Sequence, residues 1–162
     1  MYVTDKTPSL FKNFFHLGTG LDFENRWLKL SESIPWEKLD ELYGVSFSSN
    51  AGRPAVDSRL VCGLFLVKYI KNISDEEAVS EYEENPYIQA FCGREYFAQG
   101  GNLSRTILSE RRKRLGAGFF EYFEKEVLPA VDRQKFVRVR TQEEKNDGVF
   151  TRMLEKIKSF FG

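Results

Sequence analysis

The chain has 162 residues, 41% of them hydrophobic and 15% aromatic, enough to bury one substantial core and more than a disordered chain carries. Its 24 Lys and Arg balance 24 Asp and Glu, so total charge marks neither a nucleic-acid coat nor a membrane patch. Two cysteines exclude a disulfide framework, and a single histidine, His16, set among aromatics, leaves a catalytic triad or multi-histidine metal site without its parts.

Residues 1–22 scatter aromatics among Pro8, Gly18 and Gly20 with neither helical nor alternating period, which predicts an irregular arm. They contain no uninterrupted apolar region and no small-residue cleavage site, so export is not implied, and free cysteines fit a reducing cytoplasm. Residues 23–30 and 35–43 are short helix candidates, the second started by Pro35 and carrying Trp36, Leu39, Leu42 and Tyr43 at helical spacing.

Residues 52–93 write three helices and their caps. Asp57 or Ser58 caps the first, whose residues 60–70 (LVCGLFLVKYI) are apolar nearly all round, as in a central buried helix too short to cross a bilayer. Ser74 and Glu77 have capping-box spacing for the second. Asn85-Pro86 closes it and opens the third, which Gly93 ends. Cys62 and Cys92 sit in apolar patterns and read as core, with no metal proposed.

Residues 98–102 (AQGGN) form a loop, and residues 103–115 a basic helix capped by Asn102 or Ser104 and closed by Gly116, with Leu103, Ile107, Leu108 and Leu115 as its apolar stripe. Residues 119–128 form the next amphipathic helix, stopped by Pro129. Residues 134–141 alternate weakly, without a second strand to pair with, and residues 149–161 carry a Phe-rich helical face suited to packing on the domain or on a second copy before a membrane surface. The expected architecture is all-α, with helix-turn-helix-like elements and a C-terminal amphipathic helix: an arm over 1–22, a helical domain over 23–128 and a tail over 129–162.

Charge is unevenly spread. Asp75, Glu76, Glu77, Glu81, Glu83 and Glu84 crowd one helix, where consecutive carboxylates read as a solvated, dipole-favoured face, and cations crowd the later segment. Arg111, Arg112, Lys113 and Arg114 can bridge successive phosphates of a nucleic acid, although cations at a helix end also complement its dipole. Arg105 and Thr106, near that helix's start, are the side chains nearest base edges if it enters a major groove. Gly18-Thr19-Gly20 and Gly100-Gly101 lack the strand, helix and lysine of a phosphate loop, so no cofactor is expected.

RWLKLSESIPWEKLDELY from Arg26, the block 52–93 and SERRKRLG from Ser109, taken in order and spacing, resemble the N-terminal domain of bacterial insertion-sequence transposases over residues 20–128. The resemblance implies a helical domain that engages the terminal inverted repeats of the element, followed in the family by a ribonuclease-H-like domain with three metal-binding carboxylates. Residues after 128 do not resemble that continuation, so the expectation is a truncated transposase or a domain without its nuclease: a DNA-binding protein of transposition and recombination, no enzyme by itself, with Arg105, Thr106, Arg111, Arg112, Lys113 and Arg114 as its DNA contacts. The competing expectation is a self-associating interaction protein or inert remnant, and a third is an active transposase whose catalytic domain is encoded elsewhere.

Overall fold

In a computed structural model, residues 17–47, 55–98 and 103–133 are described. They form α1 (Leu17–Gly20), α2 (Arg26–Ser33), α3 (Trp36–Val45), α4 (Ser58–Lys71), α5 (Asp75–Glu84), α6 (Pro86–Phe91), α7 (Ile107–Arg114), α8 (Ala117–Tyr122), a π-helical turn (Phe123–Val127) and α9 (Leu128–Arg133). The fold is all-α, and among the described residues there is no strand.

Residues 60–68 of α4 are buried on every side, as an unbroken apolar run demands, because a helix with no polar face must be covered all round. α3, α5, α6 and α7 supply that cover, α2 lies on α6 and α9, and α8 on α3. Asp57 accepts the Arg59 amide at 2.8 Å to start α4, and Asn72, left-handed at φ 55°, turns the chain at its end. Phe65, at the centre, meets Phe120 and Phe123 edge-on at 5.9 and 6.4 Å. Each such fully buried side chain contributes about 1.5–3 kcal/mol over its exposed state.

The caps of α5 and α6 follow the expectation. Ser74 accepts the Glu77 amide at 3.1 Å while Glu77 accepts the Ser74 amide at 2.8 Å. The Asn85 amide closes α5 on the Glu81 carbonyl and its side chain accepts the Tyr87 amide at 3.0 Å to open α6. Gly93 then turns the chain at φ 87°. Arg59 ties α4 to three further helices: it donates to Ser31 Oγ on α2 at 2.9 Å and to the Phe91 carbonyl of α6 at 3.2 Å, and lies 4.8 Å over the Trp36 ring of α3.

Four boundaries differ from the sequence expectation. Part of the supposed arm is a helical turn, with Leu17 buried and its amide on the Glu95 carbonyl at 2.9 Å. α2 begins at Arg26 and not at residue 23, since Asp22 accepts the Glu24 amide and bends the chain before Asn25 caps the helix. α7 begins at Ile107 and not at residue 103, because Ser104 accepts the Thr106 amide and holds a turn there. Pro129 does not stop its helix. The wide π turn before it shifts the carbonyls that the Pro129 ring would otherwise clash with, and Pro129 has no N–H to satisfy, so α9 runs on. Phe119, Phe123, Val127 and Val131 are all buried there, one every fourth residue. Residues 1–16, with His16, the weak strand at 134–141 and the terminal amphipathic helix lie outside the described residues.

Candidate nucleic-acid interface

α7 is held by its apolar side: Ile107, Leu108 and the following Leu115 are buried. The cations that follow from its spacing do not share one environment. Arg112 points inward, its guanidinium 3.0 Å from both carboxylate oxygens of Asp75 and 5.9 Å from the Phe65 ring centre. Asp75 also accepts from Lys68, the buried cation at the end of the α4 apolar run. Burial alone would push the Asp75 carboxyl up, but hydrogen bonds from Lys68 and Arg112 outweigh it and hold the group below its ordinary range.

Arg105, which precedes the helix, reaches sideways to α5. It donates to Ser80 Oγ at 2.5 Å and to the Glu76 carbonyl at 3.5 Å, and lies 3.8 Å from Glu83. Thr106 donates to Glu110 at 2.6 Å. The acidic helix is therefore only partly the solvated face expected of it: Glu76, Glu77 and Glu84 are exposed, whereas Asp75, Glu81 and Glu83 face Arg112, Lys71 and Arg105.

The other end of α7 meets the end of α3. Arg114 lies 4.2 Å and Arg111 5.4 Å from the Phe47 ring centre, and Arg114 donates to the Ser46 carbonyl at 3.4 Å. Phe47 itself stacks on Tyr43 at 4.6 Å. Guanidinium planes rest on aromatic faces by cation–π attraction while leaving other donors outward. Arg111 Nε and Arg112 Nε are enclosed and have no hydrogen-bond partner among the described residues. Lys113 is exposed and makes no ion pair among the described residues. Of the six residues anticipated as contacts, Arg111 and Arg114 thus share one corner, Lys113 is exposed in the same last turn, Arg105 and Thr106 lie at the other end of the helix, and Arg112 is drawn into the core. Sequence reasoning missed the corner residues Val45, Ser46 and Phe47, and the role of Lys68, whose signal was a single cation in an otherwise apolar run.

No group of three or more His, Cys, Asp or Glu among the described residues could hold a metal ion, and no described helix is long and apolar enough to cross a membrane. Cys62 and Cys92 are buried, and burial pushes both thiols up.

The profile of the family described as "Transposase domain (DUF772)" matches residues 16–114, more than half of the chain. The chain belongs to this transposase-domain family. The match takes in α1 through α7, and the transposase domain then completes its core with Phe119, Phe120, Phe123, Val127 and Val131 from beyond it. A protein of Rhizobium meliloti, "Uncharacterized protein ORF8 in nfe locus", is 40% identical over 89 residues, 55% of this chain. The matched part is 42% of that relative's length. No solved structure matches.

Proposed function

We propose that this transposase-related domain binds duplex DNA at the ends of an insertion element during transposition, in the bacterial cytoplasm, and positions the DNA without breaking its bonds. The observation that carries the reading is the set Arg111, Lys113 and Arg114 in the last turn of a helix whose apolar side is locked into the core, so that cations are presented from a rigid element. Such cations neutralise phosphates and release counterions, giving affinity that falls steeply with salt. The helix-turn-helix-like element belongs in this reading to α7 and α8, joined by Leu115 and Gly116. A positioning role also accords with the chemistry of the acidic residues: phosphoryl transfer by two metals needs carboxylates gathered around the ions, whereas Asp75, Glu81 and Glu83 are engaged by cations of the fold.

The test is fluorescence anisotropy of the full chain with a labelled duplex taken from the DNA flanking its reading frame, against a scrambled duplex of equal length. Binding tighter for the flanking duplex, weakening with added salt, is expected. Absence of binding to either duplex at low salt, together with concentration-dependent self-association in sedimentation, would favour an interaction protein instead.

A further inference from the structure

Resting on that DNA-binding reading, we infer that the DNA-facing surface is the corner where α7 ends against the end of α3, formed by Val45, Ser46, Arg111, Lys113 and Arg114, and that the start of α7 faces away from DNA. The two ends of α7 differ in sign. At its start, Arg105 and the positive end of the helix dipole stand against Glu83 and Glu110, a balance of roughly −0.5 charges when the dipole end counts as about half a charge. At its end, Arg111, Lys113 and Arg114 stand against the negative dipole ends of α7 and α3, a balance of roughly +2. Lys38 and Glu41, one turn back on α3, pair with each other at 2.7 Å and cancel. A phosphate backbone is drawn to the second end and repelled from the first.

The corner also has the right surface. Val45 is 85% exposed, a bare apolar residue beside the Ser46 carbonyl that Arg114 holds. Phe47, under the two guanidiniums, orients them as a fixed pair, so less side-chain freedom is lost when phosphate binds. Arg112 adds nothing to this surface, because Asp75 already neutralises it. Two guanidiniums held over Phe47, a third cation in the same last turn and one apolar side chain thus lie at this end of the helix, a combination that suits phosphates flanking a sugar or a thymine methyl.

The experiment measures binding of the full chain to a mixed-sequence duplex of about 30 base pairs between about 50 and 200 mM salt. Lys113→Ala/Arg114→Ala is expected to lower the slope of log affinity against log salt by about 2, at about 0.9 per phosphate contact, and to weaken binding at least about tenfold. Val45→Glu, which adds a like charge beside the phosphates at an exposed position, is expected to weaken binding about tenfold with an unchanged melting temperature. Arg105→Ala is expected to stay within about twofold of the parent in affinity and to keep its slope. The inference is overturned if the double variant keeps the parental slope, if Val45→Glu binds as the parent does, or if Arg105→Ala loses as much as the double variant. A parent that binds no duplex overturns the DNA-binding reading as well, whereas a parent whose salt slope is carried by Arg105 keeps that reading and removes only the corner.

Discussion

Replacing Asp75 by Asn removes the carboxylate that Lys68 and Arg112 share and leaves two cations facing each other near the core. Breaking a fully buried pair costs about 3–5 kcal/mol. Here the side chains of Lys68, Asp75 and Arg112 are 7%, 20% and 21% exposed, so partial solvent access reduces that to about 2–3 kcal/mol. In a chain of this size the melting temperature should fall by about 8–12 °C. The pH dependence has a definite sign. The folded pKa of Asp75 is depressed, so its contribution is complete above the ordinary aspartate value of 3.8 and is lost as pH falls through the folded value. The deficit of Asp75→Asn relative to the parent should therefore be full at neutral pH and close in acid, which urea unfolding at a series of pH values would record. The triple change Lys68→Met/Asp75→Leu/Arg112→Met, which replaces the charges by apolar groups of similar volume, should recover most of the loss. A single variant as stable as the parent, or a deficit that does not change with pH, would refute the argument.

Gly63→Ala should destabilise the domain by about 1–2 kcal/mol in urea unfolding despite the better helix propensity of alanine, because a Cβ there would stand 2.6 Å from Cys92 Sγ; removing that sulfur in Gly63→Ala/Cys92→Ala should restore part of the loss, and a neutral single variant contradicts the close packing. Arg59→Lys keeps the charge but not the fork that reaches Ser31 and Phe91, nor the stacking on Trp36, so a loss of about 1–2 kcal/mol with a shift in tryptophan emission is expected; unchanged emission and stability would mean the fork does not hold. Cys62 and Cys92 should be unreactive toward a disulfide reagent at mildly alkaline pH in the folded protein and react fully in denaturant, since burial pushes both thiols up; rapid labelling of the native chain is the contrary result.

What could be read from the sequence was local in origin. The buried helix α4, the Ser74–Glu77 capping box and the double duty of Asn85 all depend on residues a turn or two apart, and all three are observed. Apolar spacing puts the starts of α2 and α7 too early, because it continues into turns that Asp22 and Ser104 form with their own side chains. At the candidate site, spacing located the cations on a helix but could not sort them. Arg112 is claimed by Asp75, 37 residues earlier, and Arg105 by Ser80, 25 residues earlier. Only packing brings the acidic helix against the start of the basic segment, so the sign of each end was invisible along the chain.

The π turn at Phe123–Val127 keeps a four-residue stripe on the buried side. A stripe repeating every fourth residue, Phe119, Phe123, Val127 and Val131, would drift about 40° per step around a straight α-helix, and the widened turn takes up that drift. Lys125 is exposed in this turn and pairs along the same helix with Glu121 at 2.6 Å. Without Lys125, the same four residues would be spaced four, three and four apart, the rhythm of an uninterrupted α-helix. The wide turn thus holds one residue more than an ordinary helix of that rhythm without turning its buried side outward. A chain lacking Lys125 would set Pro129 inside an ordinary α-helix, so a loss of about 3 kcal/mol is expected, which circular dichroism and urea unfolding would show. A deletion as stable as the parent would mean that Pro129 does not depend on the wide turn.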